Sequence, residues 1–166
     1  TTPTTEEKCR MADVVFVFDI SSSVEQSECE SEKLASLCPR YPDIRGLPDT
    51  VCVAYNFAAA TIKSLGSDIN FDGVRVAGIT FSDEAHALFD GNFVFDADEA
   101  LEGLSKLADI PVRQPTRAAT AFKMLNDEYF APRHTNTHGY RYGAVPLIVV
   151  MVTDVRSLNT NSELER

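Results

Sequence analysis

The chain has 166 residues, of which 44% are hydrophobic and 24% charged, and its formal net charge is −10. This length and composition are typical of one globular domain and exclude a disordered chain, and no apolar run reaches the roughly 20 residues that a membrane helix needs. The negative charge argues against nucleic acid or an anionic membrane as partner, and it is compatible with divalent cations or a basic protein surface.

The N-terminal third predicts a linker, a buried strand and an insertion. Residues 1–11 begin TTPTTEEK and are interpreted as a polar linker, so the folded domain is predicted to occupy 12–166. The apolar run at 13–18, DVVFVF, is typical of a central strand buried on both faces. Residues 24–46 are acidic, contain cysteines and are broken by prolines and a glycine, which predicts an inserted loop.

The remaining elements alternate between helices and strands. A helix is predicted to begin near Pro48 and Asp49 and to end at Gly66, and its apolar residues on every side indicate that it lies largely buried. The elements that follow are strands at 73–82 and 85–89, helices at 98–108 and 116–130, and a strand at 145–154. Asp96 or Asp98 can open the first of these two helices. This order predicts an α/β fold with a doubly wound, mostly parallel sheet and helices on both faces.

Oxygen-bearing side chains are predicted to meet at one edge of this sheet. Asp19, Ser21 and Ser23 follow the first strand, Asp154 ends the last strand, and Thr116 begins a helix. Ligands of doubly wound sheets bind beyond the carboxyl ends of the parallel strands, where all five residues are expected. Carboxylate and hydroxyl oxygens are hard donors that suit Mg²⁺, Mn²⁺ or Ca²⁺ better than zinc.

Four segments make the chain resemble the von Willebrand factor A domains, also called integrin I-like domains. They are VVFVFDISSSV, VRVAGITFSDEAHALF, PTRAATAF and LIVVMVTD, and their order and spacing match the family from 13 to 158. The resemblance implies a Rossmann-like fold with a metal-ion-dependent adhesion site, for which we expect Mg²⁺ ahead of Mn²⁺ or Ca²⁺. It implies that Ser21, Ser23 and Thr116 contact the metal, whereas Asp19 and Asp154 act through bound waters or serine hydroxyls. Neutral hydroxyls leave the cation's charge poorly compensated, so its open position attracts a carboxylate from a partner.

The chain departs from the family pattern at three places. Ser22 stands where the family commonly has glycine, and Val155 replaces the usual glycine after the final aspartate. The segment that begins at Thr116 lacks the family's second threonine and following glycine, so Thr120, one turn later, competes with Thr116 as the ligand. A similar fold with a degenerate metal site is the alternative that these departures leave open.

The resemblance implies a function in binding rather than catalysis. We expect a secreted or extracellular-matrix module that binds an acidic residue of a collagen-like or other matrix protein through its metal. The alternatives are a recognition or regulatory domain of a larger enzyme, such as a complement-type protease or a metal-chelatase subunit, and a scaffold with a dead metal site. No nucleophile elbow, P-loop or HExxH motif is present in the sequence, which supports a protein that is not an enzyme.

The C-terminal end of the chain raises an expectation about completeness. Residues 162–165 have the S-x-x-E form of a helix-starting capping box, although a frayed polar tail fits equally well. Members of the family continue with a helix, a strand and a last helix. We therefore expect a domain truncated or cleaved before these elements, or one completed by another chain that covers its exposed sheet edge.

The cysteines favour disulfides in an oxidising compartment over buried thiols. Cys29, Cys38 and Cys52 are predicted near the metal edge, and we expect one bridge among them. Cys9 precedes the first strand at the opposite end of the sheet, so a bridge from Cys9 to Cys52 is not expected. The resemblance implies that Cys9 could pair with a residue of the missing C-terminal segment, as terminal cysteines of related domains often do.

Two polar stretches could carry further sites. Four glutamates of the insertion could form a second cation site or guard the first, or they could be a solvated acidic loop; they are Glu25, Glu28, Glu30 and Glu32. His134 and His138 have helical i, i+4 spacing that could suit zinc. The histidines belong to a basic, aromatic stretch expected at the end opposite the metal, as a surface loop or as a contact for an acidic partner; its other members are Arg133, Tyr140, Arg141 and Tyr142.

Overall fold

The computed structural model describes residues 11–21, 49–110, 117–130, 139–141 and 143–153, and only the backbone of 49–53, 108 and 109. Within these residues the strands are β1 (Ala12–Asp19), β2 (Val74–Phe81), β3 (Ala85–Ala87) and β4 (Leu147–Val152). The α-helices are α1 (Asp49–Leu65), α2 (Ala97–Ser105) and α3 (Ala118–Met124). None of the described helices is long and apolar enough to cross a membrane.

The strands form one mixed, mostly parallel sheet in the order β3-β2-β1-β4. β1 lies between β2 and β4 and is parallel to both, whereas β3 runs antiparallel to β2. The register sets Asp19 beside Phe81 and Phe18 beside Val152. The carboxyl ends of β1, β2 and β4 therefore meet at one edge of the sheet, which is the arrangement predicted for the metal site.

Alternate side chains of β1 enter two hydrophobic cores on the two faces of the sheet. Val14, Phe16 and Phe18 pack with α1 and α2 on one face. Val15 and Val17 pack with α3 on the other face. Burial of each such side chain contributes about 1.5–3 kcal/mol to the hydrophobic free energy of folding. This strand is buried on both faces, and the predicted α/β fold with helices on both faces is confirmed.

The described side chains of helix α1, at 54–65, are buried on one side of the helix, where the sequence predicted a largely buried helix. Its buried residues are Ala54, Tyr55, Ala58, Ala59 and Ile62, which recur with helical spacing. Phe57, Ala60 and Lys63 are exposed on the opposite side. The helix ends as predicted at Gly66, whose φ of +48° is a left-handed conformation that glycine adopts readily.

The start of α2 distinguishes between the two aspartates predicted to open it. Asp96 is the N-cap residue, because its carboxylate accepts hydrogen bonds from the backbone amides of Asp98 and Glu99 at 3.0 and 2.9 Å. Asp98 lies inside the first turn, where a negative charge is favoured by the helix dipole. The helix continues as a 3₁₀ turn at Lys106–Asp109.

Two other predicted elements have different ends from those expected. The strand predicted at 85–89 stops at Ala87, because Phe89 and Asp90 adopt left-handed φ values of 55° and 53° in a 3₁₀ turn. The turn places the Phe89 ring so close to Gly103 that a Cβ there would collide with it. The helix predicted at 116–130 is α-helical only to Met124 and continues as a π-helical turn, Leu125–Phe130, that buries Leu125 and Tyr129.

An ion pair between Asp13 and Arg141 closes the amino end of the sheet. The Asp13 side chain is fully buried and that of Arg141 is 13% exposed, and Nη2 of Arg141 lies 2.7 Å from Oδ1 of Asp13. Nη2 also donates to the carbonyls of Gly73 and Ala12 at 2.7 and 3.1 Å. Arg141 lies opposite the predicted metal edge as expected, but its acidic partner is a residue of its own chain rather than another protein. Tyr140 is likewise buried.

Candidate metal centre

Asp19 lies at the end of the central strand and is only 3% exposed. Oδ1 of Asp19 accepts a hydrogen bond from the backbone amide of Ser21 at 3.0 Å. Oδ2 accepts a second bond from the hydroxyl of Thr153 at 2.7 Å. An aspartate that accepts from the amide two residues later forms an Asx turn, and this local hydrogen bond holds the carboxylate against the backbone just after β1. The carboxylate is thus held by β1 and β4 together.

The electrostatic surroundings of Asp19 differ from those of Asp13 at the other end of the same strand. Asp13 is neutralised by Arg141, with hydrogen bonds to Oδ1 from Nε and Nη2 and to Oδ2 from the backbone amide. Among the residues that the structure describes, no lysine, arginine or histidine forms an ion pair with Asp19. A buried carboxylate that has hydrogen-bond donors but no counter-charge is expensive to desolvate, by several kcal/mol. A cation bound beside Asp19 would supply the missing positive charge.

Ser21 contributes a second oxygen at the same edge. Its side chain is fully buried and comes two residues after Asp19 in the turn. A serine hydroxyl is a neutral oxygen donor, the type that Mg²⁺ or Ca²⁺ accepts alongside carboxylates. The described part of the predicted site is therefore one carboxylate and one hydroxyl, both withdrawn from solvent, and this donor set fits a hard divalent cation.

The other three predicted ligands, Ser23, Thr116 and Asp154, lie outside the described residues. Thr153 directly precedes Asp154 and touches Asp19. Arg117 directly follows Thr116, and its amide donates to the carbonyl of Ser82 at the end of β2 at 2.7 Å. The chain segments that lead to Asp154 and away from Thr116 therefore both reach the edge that carries Asp19.

Thr120, the competitor of Thr116, has a local hydrogen bond in the structure. Its hydroxyl donates to the carbonyl of Arg117 at 2.7 Å, within the first turn of α3. Such a bond satisfies a helical hydroxyl without any metal. The assignment of Thr116 rather than Thr120 as a ligand stays a prediction.

Two residues that the sequence analysis did not select belong to this edge. Thr153 contacts Asp19, and a signal for it was available, because it comes one residue after β4, which pairs in parallel with β1. Ser82 is buried, and its hydroxyl donates to Oδ1 of Asp83 at 3.0 Å while its carbonyl accepts from Arg117. The Ser82–Asp83 turn thus anchors the start of α3.

Several other predictions fall on residues that the structure does not describe. They concern the linker before residue 11, the acidic insertion at 24–46 with its glutamates, Cys9, Cys29, Cys38, the side chain of Cys52, Ser22, His134, His138, Arg133, Tyr142, Val155 and the capping box at 162–165. Within the described residues, no group of three or more histidine, cysteine, aspartate or glutamate side chains could hold a metal ion. A metal at Asp19 would therefore depend on hydroxyl ligands and on the flanking segments.

Comparisons with known proteins give a family and a fold. A family model described as von Willebrand factor type A domain matches residues 48–165, a segment that begins after β1. None of the curated proteins matches the chain. Among solved structures, proximal thread matrix protein 1 (PTMP1) from the mussel byssus, in its crystal form 2, superimposes with a TM-score of 0.56 at 21% identity and covers 89% of this chain.

Two further structures are similar over most of the chain. PTMP1 with a zinc-occupied MIDAS motif gives a TM-score of 0.54 at 19% identity over 85% of this chain. The three N-terminal domains of the type V pili tip protein Mfa5 from Porphyromonas gingivalis give 0.50 at 20% identity over 85%. These matches extend over only 29%, 28% and 19% of the three neighbouring chains, so this chain spans less than a third of each. At such identities the likeness shows the fold.

Proposed function

Because this chain belongs to the von Willebrand factor type A domain family, we propose that it is an extracellular adhesion or matrix-binding module that binds a protein ligand through a divalent cation. The observation that carries the proposal is the buried carboxylate of Asp19. It lies at the carboxyl end of the central strand and accepts two hydrogen bonds, and no described residue compensates its charge. That is the position at which a doubly wound sheet binds its ligands.

The proposed site consists of hydroxyl ligands backed by carboxylates. Ser21, Ser23 and Thr116 would hold the cation, and Asp19 and Asp154 would orient those hydroxyls or the cation's waters. When bound, the cation supplies an open coordination position of net positive charge. A carboxylate from a partner protein is the group that this position attracts most strongly, because neutral hydroxyls neutralise little of the charge.

The oxygen donors support a hard divalent cation. Mg²⁺ is the proposed resident ion, with Mn²⁺ and Ca²⁺ as alternatives, since all three prefer oxygen ligands. A neighbouring structure, PTMP1, has zinc in its MIDAS motif, which supports a divalent cation in this type of site. Competition between Mg²⁺ and Zn²⁺ in one titration would decide which ion this chain prefers.

The partner proposed is a protein of the extracellular matrix, of collagen-like or similar kind. Its support is that PTMP1 is a thread matrix protein of the byssus and Mfa5 is a pilus tip protein. The byssus and the pilus are extracellular assemblies, and this also supports secretion of the chain and an oxidising compartment for its cysteines. We propose that the chain binds and does not catalyse, with the metal serving as a bridge between two proteins.

The test compares binding with and without the cation. Immobilised collagens and other matrix proteins are probed with the chain in Mg²⁺, in EDTA, and as the Asp19→Ala variant. We expect binding in Mg²⁺ that is lost in the other two conditions. Asp98→Ala is the matched control, because it removes an exposed aspartate in the first turn of α2 rather than one at the metal edge. Binding that is equal in all conditions would refute the metal bridge.

A further inference from the structure

We propose that Thr153 is a positioning residue for the metal centre, whose hydroxyl orients the carboxylate of Asp19 and ties the end of β4 to cation binding. The inference rests on the proposed function, since it assigns a role within the same site. It concerns a residue outside the set of ligands that the sequence indicates.

The geometry fixes both oxygens of Asp19 from two different strands. The amide of Ser21, in the turn after β1, donates to Oδ1 at 3.0 Å, and the hydroxyl of Thr153, after β4, donates to Oδ2 at 2.7 Å. The terminal torsion of an aspartate side chain is broad, so one hydrogen bond leaves the carboxylate free to rotate. Donors on both oxygens fix its plane, because rotation would break at least one of the two bonds.

The register of the sheet explains why residue 153 can do this. Val152 pairs with Phe18, so the next residue along β4 comes beside Asp19. Asp19 and Thr153 are 134 positions apart in the sequence, and only parallel pairing of the two strands brings them together. A threonine at the end of β4 therefore has its hydroxyl within reach of a carboxylate at the end of β1.

The chemistry of the donor matters as much as its position. A hydroxyl donating to a carboxylate forms a short, charge-assisted bond, and the 2.7 Å distance is at the upper end of the usual range for such bonds. It adds no positive charge, unlike Arg141, whose guanidinium neutralises Asp13. Each carboxylate oxygen has about two lone pairs, so one acceptor position per oxygen remains after both bonds are formed. Thr153 therefore orients Asp19 and leaves its charge available to the cation.

Outer-shell groups that orient the residues around a metal through hydrogen bonds typically change metal affinity by about 10- to 100-fold when they are removed. Thr153→Val removes the hydroxyl and keeps the size and branching of the side chain. We expect it to weaken Mg²⁺ binding by about that factor, whereas Thr153→Ser, which keeps the hydroxyl, should stay within about threefold of the wild-type affinity.

The experiment measures Mg²⁺ affinity by isothermal titration calorimetry on the full chain. Thr80→Val is the matched control, because Thr80 is a buried threonine of the same sheet whose hydroxyl faces the His86 carbonyl rather than Asp19. Thermal unfolding in EDTA shows that each variant is folded. If Thr153→Val does not fold, Thr153→Ala is measured in its place with the same criteria.

The outcomes separate this inference from the function on which it rests. A wild-type chain that binds no divalent cation would overturn the proposed function and this inference with it. A wild-type chain that binds Mg²⁺, together with Thr153→Val binding equally well, would overturn the role of Thr153 alone. The same holds if Thr153→Ser loses as much affinity as Thr153→Val, because packing of the methyl group and not the hydroxyl would then be responsible. Loss in Thr153→Val with retention in Thr153→Ser and Thr80→Val supports the inference.

Discussion

Replacing Asp19 with asparagine is expected to stabilise the metal-free protein and to abolish metal binding. Asparagine has the shape of aspartate, and its amide oxygen can still accept from the amide of Ser21. Its NH₂ group would face the hydroxyl of Thr153, which can rotate and accept instead of donating. Asp19→Asn thus removes a buried charge while both hydrogen bonds can be kept.

The size of the effect follows from two opposing terms. Hydrogen bonds to a charged acceptor contribute about 1–1.5 kcal/mol more than neutral ones, so two bonds weaken by about 2–3 kcal/mol in total. Desolvation of a buried carboxylate without a counter-charge opposes folding by several kcal/mol, and the substitution removes this term. The balance favours asparagine by about 1–2 kcal/mol in EDTA, which corresponds to a rise in Tm of about 2–8 °C for a chain of this length.

The matched comparison is Asp13→Asn, at the other end of the same strand. Asp13 is as deeply buried as Asp19, but its charge is paired with Arg141. Removing it leaves a guanidinium, itself only 13% exposed, without its counter-ion. Breaking a buried pair in this way destabilises by about 3–5 kcal/mol, and we expect the lower end of that range because Arg141 keeps its backbone carbonyl acceptors.

Urea unfolding in EDTA measures both variants on one scale, and titration with Mg²⁺ measures the metal. We expect the two substitutions to change the free energy of unfolding in opposite directions. Asp19→Asn should be more stable than wild type and show no Mg²⁺ response, whereas Asp13→Asn should be less stable and keep its Mg²⁺ response. The reasoning would be refuted if metal-free Asp19→Asn were less stable than wild type by about 1 kcal/mol or more, which is the usual contribution of one hydrogen bond. That result would show that Asp19 is compensated by a group that the described contacts do not include.

Three further predictions concern the fold around the site. Gly103→Ala is expected to lose about 1–3 kcal/mol in urea unfolding, because a Cβ there collides with the Phe89 ring; an unchanged midpoint would mean that the ring moves aside freely. Asp96→Ala should lose about 1 kcal/mol, since the first turn of α2 loses its cap, and Asp96→Ser should recover most of that loss. Burial raises the pKa of Tyr129, so the phenol ionises at a lower pH in the unfolded chain than in the folded one. The contribution of the neutral phenol to the free energy of unfolding is therefore fully present below about pH 10 and declines as the pH rises further. Stability measured across that range should therefore fall less steeply in Tyr129→Phe, and equal slopes would contradict the assignment.

The strands next to the site could be predicted from the sequence because their signal is local. The run at 14–18 before Asp19 is apolar at every position, which favours a strand buried on both faces, and β1 is such a strand. The apolar run at 147–152 also forms a strand, β4, which pairs with β1, although Ile148 and Val149 in it are exposed among the described residues. Since the carboxyl ends of parallel strands lie at one edge, the sequence predicts Asp19 at the same edge as the end of the last strand, and the pairing of β1 with β4 places it there.

The contacts that act on the site could not be predicted, because they join residues distant in sequence. Arg141 lies 128 positions from Asp13. The sequence around Arg141 is as typical of a basic surface loop as of a segment that forms a buried ion pair. The left-handed turn at Phe89 and Asp90 carries no glycine at those two positions, so its sequence continues to resemble a strand. Local patterns report which elements form, whereas the charge balance of a buried group depends on the tertiary neighbours.

The difference between the two ends of β1 argues for the metal-binding interpretation over a scaffold with a dead site. The amino end shows that this fold can bury an aspartate with a full counter-charge, since Asp13 and Arg141 are paired there. At the carboxyl end Asp19 is buried to nearly the same degree, yet its described donors, Ser21 and Thr153, are neutral. A scaffold without a cation would be more stable with asparagine at position 19 or with a basic side chain beside it. A bound cation would remove that disadvantage, and the proposed binding of a partner carboxylate would then be linked to the stability of this edge.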